Sequence, residues 1–422
     1  MHFAIISAPV PGHLFPCCML SKGLQEKGHS VTVYNIADSE DFVRNLGFGF
    51  KTIGEKEFPK GSWHKRWKPA MTGSNIWRDT RILKAHIEIA AIMLRDLPEM
   101  LGNDNVDVLL VDHLQPQGSS LAEKLNIPFI TICSILPLHN DPTGQVPASF
   151  AWWEVKPNRF NRYLNKWSHE LVKILSYKYL KVVNAYRRKW ELPVIKNLEQ
   201  SFSHIAQIGV VPHEIDFSKN QKIENYFVVG PPITKRAEVS FPWEKLDGRP
   251  IVYASFGTIR NKIDKLYTVV IETFKRLPHL QLILSKGAWN GNGFEMPNFP
   301  ENSIVVDFAP QLEILKKAVL CITHAGPGTI LESIYYGVPL IAIPVADDQP
   351  AMAARIKYHK IGISIPCTKL NRKKLENSVN QIINSKEINQ NVEKMSNKFK
   401  KYGGIDEAAR VIMREITNIT TN

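Results

Sequence analysis

The chain has 422 residues, 44% of them hydrophobic, and a formal net charge of +13; that is enough for two domains of ordinary size, each with its own core. Its Lys and Arg are scattered rather than massed, which favours a soluble enzyme with Lys-rich helices over a nucleic-acid or anionic-membrane binder. Five cysteines without a C-x-x-C spacing argue against a disulfide framework or zinc site; with no basic leader and no run of roughly 18 apolar residues, neither signal peptide nor membrane span is expected, and the expected location is cytoplasmic.

Residues 2–8, HFAIISA, predict a first strand that ends at Pro9, Pro11 and Gly12. Leu14, Cys18, Leu20 and Leu24 follow at helical spacing, Lys27-Gly28 stops the helix, and SVTVYNI is the next strand. Strand, loop, helix, strand opens a parallel α/β sheet, whose ligands sit beyond the C-terminal strand ends. His13 falls at that edge between Pro11-Gly12 and Pro16, either as a local cap or as a functional group. VDVLLVDH is a strand that carries Asp112 to the same edge, and PFITICS is another that ends near Ser134. Asp112 is either a helix cap or solvated acid, or a carboxylate that orients a histidine and stabilises its charged form. Amphipathic segments over 60–100 and 140–200 hold seven of the nine tryptophans. These are either ordinary core or, at Trp63, Trp77, Trp152 and Trp153, the wall of a pocket for a flat apolar ligand.

HIAQIGVV and NYFVVGPPI close a first domain, residues 1–230, and a Pro-rich polar linker covers 231–248. A second domain, 249–387, alternates strands and helices again: IVYAS, QLILSKG, SIVVDFAP, LCITHAG and LIAIPVA are its strands. Residues 388–422 form a helical tail expected to pack back toward the first domain. The fold class is α/β, two Rossmann-like doubly wound domains facing each other across a cleft.

The second domain carries most of the chemistry. Ser255, Gly257 and Thr258 follow a strand and suit a phosphate, a weak signal alone. Residues 323–329, THAGPGT, are a stronger one. Gly326 and Gly328 let the backbone approach an anion, Thr329 opens a helix, and His324 adds a donor. A dinucleotide fingerprint would need glycine where Leu331 stands, and a Walker A motif is missing. Glu332 suits a ribose diol. Phe308 can stack on a base, and Gln311 can reach base or ribose. Asp347, Asp348 and Gln349 end a later strand and suit the hydroxyls of a sugar. No Asp-x-Asp pair offers a metal clamp, so the helix dipole, His324 and backbone amides take that place.

FAPQ…THAGPGTILES…GVPLIAIPVADDQ resembles the donor-binding signature of the family 1 UDP-glycosyltransferases, and PGHLFP and LVDH fit the same family. The resemblance spans essentially the whole chain and is nearest the soluble bacterial-type branch of zeaxanthin and macrolide glycosyltransferases. It implies a GT-B fold and metal-independent, inverting transfer of a hexose, glucose first, from a UDP-sugar to a lipophilic small-molecule hydroxyl. No cofactor is implied, the UDP-sugar being a co-substrate, and no nucleic acid. A flavonoid, other phenol or xenobiotic is the favoured acceptor, in detoxification or secondary metabolism, with a carotenoid or macrolide as the alternative. A UDP-sugar epimerase and a non-catalytic nucleotide-sugar binder are the readings from other classes. By resemblance His13 is the general base, and Asp112 holds it. Phe308, followed by Ala309 in FAPQ, stacks on uracil, and Glu332 binds ribose. His324, Ser255, Thr258, Gly328 and Thr329 bind diphosphate, and Asp348 with Gln349 binds the sugar. The chain departs from the family in having Phe308 where many members have Trp. Gly328 stands where plant members have Asn, which removes one donor contact, and the segment between Gln311 and His324 is two residues shorter than in plant members.

Overall fold

The computed structural model describes residues 1–63, 65–66, 76–217, 223–236, 238–257, 264–287 and 298–420, without the side chains of 76–82 and of 420. Among the described residues, thirteen strands form two sheets, all parallel. The first contains β1 (His2–Ile6), β2 (Ser30–Asn35), β3 (Gly49–Thr52), β4 (Val108–Asp112), β5 (Phe129–Cys133), β6 (Gln207–Gly209) and β7 (Tyr226–Val228), in the order β3-β2-β1-β4-β5-β6-β7. The second contains β8 (Ile251–Ser255), β9 (Gln281–Ser285), β10 (Ser303–Val306), β11 (Ala318–Thr323), β12 (Leu340–Ala342) and β13 (Gly362–Ser364), in the order β10-β9-β8-β11-β12-β13.

Each strand order reverses once, beside β1 and beside β8. Those are the switch points where a crevice opens beyond the strand ends. The run of apolar residues in β1 fits a strand covered on both faces. Phe3 and Ile5 join one apolar cluster while Ala4 and Ile6 join another, as the two-residue period of a strand requires. The first of these clusters is continuous across the molecule: it takes in Ile251 and Tyr253 of β8 and Ala409 and Ile412 near the C-terminus.

The helices that matter here are α1 (Pro11–Glu26), α2 (Glu40–Asn45), α3 (Ile76–Asn103), α4 (Gln117–Leu125), α5 (Arg159–Lys189), α6 (Asp264–Phe274), α7 (Gln311–Leu315), α8 (Pro327–Tyr335), α9 (Gln349–Tyr358), α10 (Arg372–Asn384), α11 (Lys386–Phe399) and α12 (Gly404–Thr420). The last helix lies on α1 of the first domain. Gly23 makes that approach possible, because a Cβ there would stand 2.9 Å from the Cβ of Ala409 and 3.0 Å from the carbonyl oxygen of Ile405. A second tie between the domains is ionic. Arg355 of α9, buried, donates to Asp216 at 2.6 Å, and His359 bonds the Ile215 carbonyl at 3.0 Å. Among the described residues no helix is long and apolar enough to cross a membrane.

Candidate active site

β1 and β4 are neighbours in register, Ile6 beside Val111. The helix that follows β1 therefore begins against the end of β4. Pro11 stands at the start of α1, where its missing N–H costs nothing, and the first turn presents His13. Its Nδ1 lies 2.7 Å from Oδ2 of Asp112, the last residue of β4. Asp112 is fully buried. Its Oδ2 also accepts from Ser134 Oγ at 3.0 Å, and its Oδ1 from the Leu114 amide at 2.8 Å. With Nδ1–H directed at the carboxylate, the Nε2 lone pair is left on the opposite side of the ring. That is the arrangement of a base and its orienting group.

The electrostatics agree. Burial alone would lower the His13 pKa, but the Asp112 carboxylate, with smaller contributions from Asp348 and Asp347, overrides it and the value rises above the usual 6.5. Burial opposes ionisation of Asp112, and the adjacent His13 outweighs it, so the carboxyl stays well below its usual range. Neighbouring His113 is pushed by burial to about 4 and is neutral; its Nδ1 donates to the Ile132 carbonyl at 3.2 Å.

Across the cleft, Thr323 of β11 pairs in register with Ser255 of β8. The two turns after these strands interlock through His324. A Cβ at Gly257 would stand 2.8 Å from the imidazole, and one at Gly326 2.7 Å from its Nε2. Only glycine on both sides leaves room for the ring. Burial lowers His324 to about 4, against a bond to the Ser255 backbone. The ring is therefore a neutral donor, not a cation. Ala325 has φ 70° and Asp347 φ 59°, conformations non-glycine residues seldom take and that cluster at sites. Gly328 faces open space in the first turn of α8, where free amides and the helix dipole suit an anion.

Glu332 lies one turn into α8. Its carboxylate is engaged from within the protein: Arg236 of the linker pairs with its Oε1, and Gln311 Nε2 donates to its Oε2 at 2.6 Å. Tyr253 in turn donates to Gln311 Oε1 at 3.0 Å. The Arg236 guanidinium also sits 4.7 Å from the ring centre of Phe15 of α1. Gln349 is buried, its Oε1 accepting from the amides of Val345 and Ala346 at 2.9 and 3.1 Å, so part of its hydrogen bonding shapes the loop it belongs to. Phe308 is 51% exposed just past β10, a free platform for a flat ring.

A cavity of about 300 Å³ joins the two halves. It is lined by His13, Phe15 and Ser134 from the first domain and by Gly257, His324, Gly326, Gly328, Thr329, Glu332, Asp348 and Gln349 from the second. A second cavity of about 680 Å³ is lined by Arg236 and Gln311, the two partners of Glu332, with Ala309, Trp243 and Tyr336 in its wall. Thr258 lies outside the described residues, as does the side chain of Trp77. The other three tryptophans are not in the wall of the His13 cavity. Trp63 is core, edge-on to Phe58 at 6.0 Å and His86 at 5.7 Å. Trp152 and Trp153 line a separate cavity of about 1140 Å³ between the domains, with Pro344, Val345 and Ala353 opposite. Sequence reasoning missed Arg236 and the part of Ser134 in the His13–Asp112 pair. Position at the end of a strand of the same edge was a signal for Ser134; nothing in the linker pointed to Arg236.

The chain is similar to known glycosyltransferases. A family model described as UDP-glucoronosyl and UDP-glucosyl transferase matches residues 54–403. The zeaxanthin glucosyltransferase of Pantoea ananas is 28% identical over 369 residues, covering 86% of this chain and 84% of that one. The NDP-glycosyltransferase YjiC of Bacillus subtilis strain 168 is 26% identical over 414 residues, covering 97% of this chain and 96% of that one. Among solved structures, the glycotransferase of kitacinnamycin superposes with a TM-score of 0.77 at 23% identity, covering 98% of each chain, which shows a shared fold.

Proposed function

The chain belongs to the UDP-glucoronosyl and UDP-glucosyl transferase family and has the GT-B architecture, and from that premise we propose that it transfers glucose from UDP-glucose, with inversion, to a hydroxyl of a lipophilic small molecule. The observation that carries this is the single cavity in which His13 of one domain faces His324, Glu332, Asp348 and Gln349 of the other.

In the proposed reaction His13 Nε2 removes the acceptor hydroxyl proton as that oxygen attacks the anomeric carbon. The bond from that carbon to the diphosphate oxygen breaks, and the electron pair leaves with UDP. Asp112 stabilises the imidazolium that forms. The first turn of α8 and the neutral His324 meet the charge growing on the diphosphate. General-base catalysis of this kind supplies roughly 10²–10⁴-fold. Phe308 stacks on the base, Glu332 receives the ribose hydroxyls once Arg236 is displaced, and Asp348 with Gln349 receives the sugar. The UDP-sugar is a co-substrate, and no cofactor takes part.

A phenol or flavonoid is the first acceptor to test. A carotenoid or macrolide hydroxyl is the second reading, supported by the similarity to a protein named zeaxanthin glucosyltransferase. The test is UDP release from UDP-glucose with and without each acceptor, with products weighed by mass spectrometry. Acceptor-dependent release with a glucosylated product supports transfer. Epimer formed without acceptor would replace the proposal by an epimerase, and neither outcome would leave a binding protein.

A further inference from the structure

The N-terminal part of helix α5 is turned inside out, whereas its C-terminal part buries Leu180 and Val183 in the core. A surface helix ordinarily buries its apolar stripe and shows water its polar face. Over the first half of α5 the buried side chains are Asn161, Asn165, Ser168, His169 and Ser176. All but Ser176, which bonds the Lys173 carbonyl of its own helix, are spent on the loop before the helix. Asn165 donates to the Gly144 carbonyl at 2.9 Å and accepts from Trp153 Nε1 at 2.8 Å. Ser168 Oγ accepts from the Ala148 amide at 2.9 Å, and His169 bonds the Val146 carbonyl at 3.0 Å.

The apolar residues point the other way. Phe160, Tyr163, Trp167 and Ile174 recur at helical spacing, with Leu175 and Tyr177 beside them, and all six are between 54% and 80% exposed. The stripe runs for about 26 Å at 1.5 Å per residue. Contiguous exposed apolar surface of that kind marks a contact with something else.

Charge decides between occupants. Along α5 there are nine Lys and Arg and a single acid, Glu170. Arg159, Arg162, Lys166 and Lys173 are exposed along one flank of the stripe, and Lys178 and Lys181 at its far end. A second copy of this chain, itself at +13, would set these cations against each other. An anionic bilayer surface would pair with them while the aromatic stripe entered the boundary between headgroups and acyl chains.

Against the expectation from the scattered charge of the whole chain, the cations massed along this one helix lead us to propose that this protein docks on anionic membranes through the outward face of α5, lying on the surface rather than spanning it. The stripe begins at Phe160, which also lines the 1140 Å³ cavity with Trp152 and Trp153. For a lipophilic acceptor, a reading on which the docking itself does not depend, the bound surface lies beside a cavity between the two domains.

The experiment is co-sedimentation of the full chain with two kinds of vesicle, phosphatidylcholine alone and equal parts phosphatidylcholine and phosphatidylglycerol, at low and high salt. Wild type is expected to bind the anionic vesicles at least about tenfold more tightly than the neutral ones and to be released by salt. Trp167→Glu with Ile174→Glu should lose that binding by about tenfold or more. Both side chains already face water, so circular dichroism and UDP-glucose turnover with a water-soluble acceptor should not change. Equal binding by wild type and the double variant, or no binding of wild type to anionic vesicles, overturns the proposal. A dimer in gel filtration that the double variant dissolves overturns it too, and gives the face to a second copy. Because vesicle binding needs neither donor nor acceptor, its failure says nothing about glucosyl transfer.

Discussion

Asp112→Asn separates charge from shape at the pair that activates the acceptor. The carboxylate is wholly buried and 2.7 Å from His13 Nδ1, so asparagine keeps the contact and the volume while removing the charge. Burial lowers the His13 pKa, and Asp112, with smaller help from Asp348 and Asp347, raises it. Without the charge, burial is left as the largest cause. The base is competent only when neutral. In the wild type, activity should therefore fall as pH drops through a value above 6.5, and in the variant that limb should move to lower pH. Turnover on the plateau should still fall, because the imidazolium formed in the transition state has lost its counter-charge. A base contributes roughly 10²–10⁴-fold, and asparagine keeps the ring in place, so we expect a loss of about 10²–10³-fold. The assay is the pH profile of kcat with an aliphatic alcohol acceptor, alongside calorimetric binding of UDP. An alcohol is required because a phenol's lower pKa lessens its need for a base. A limb that stays where it was, or a fall in UDP affinity with turnover preserved, would refute the reasoning and give Asp112 a structural role.

Three further outcomes are expected. Arg236→Ala frees Glu332 from a part-exposed ion pair and should lower the KM for UDP-glucose by up to about fivefold with little change in kcat; a raised KM would mean that Arg236 itself holds the donor. Phe308→Ala should weaken UDP binding by about 10–100-fold, from ~1–3 kcal/mol of base stacking, and Phe308→Trp should restore it; unchanged affinity in the alanine variant sinks the stacking role. Gly326→Ala places a methyl 2.7 Å from His324 Nε2, so the ring must move and UDP affinity should drop about tenfold by calorimetry, with wild-type affinity counting against a diphosphate role for this turn.

The donor half of the site was legible in its placement because its residues lie at the C-terminal ends of the strands of a parallel sheet, or in the turns and first helical turns that follow them. That edge is fixed by the alternation of apolar runs and turns, so Ser255, His324, Asp348 and Gln349 could be placed together without coordinates. His13 and Asp112 were legible for the same reason, lying 99 residues apart in the chain yet on adjacent strands. The tryptophans were not. An aromatic residue at helical spacing reads the same whether its face meets the core, a cavity or water, and here Trp63, Trp152 and Trp167 take one of each. Arg236 was illegible for a different reason. The linker has no periodicity, so nothing in it shows which side chain folds back onto Glu332.

Several polar groups of the cleft are satisfied from within the protein. Glu332 holds Arg236 and Gln311, the Gln349 oxygen holds two amides of its own loop, and Asp112 holds His13 and Ser134. Exchanging an internal hydrogen bond for one to ribose returns little net free energy, on the order of 1 kcal/mol or less. Donor affinity must then come from groups with nothing to exchange. Those are the exposed ring of Phe308 and the first turn of α8, whose residues Gly328 and Thr329 line the cavity and whose amides have no partner within the helix. Uridine, which has the base but no diphosphate, should for that reason bind far more weakly than UDP. The ribose and sugar contacts then act mainly in selection, because a ligand that displaces Arg236 without replacing its bond leaves the buried Glu332 Oε1 without a partner while Oε2 keeps Gln311, at a cost of about 1–3 kcal/mol or more.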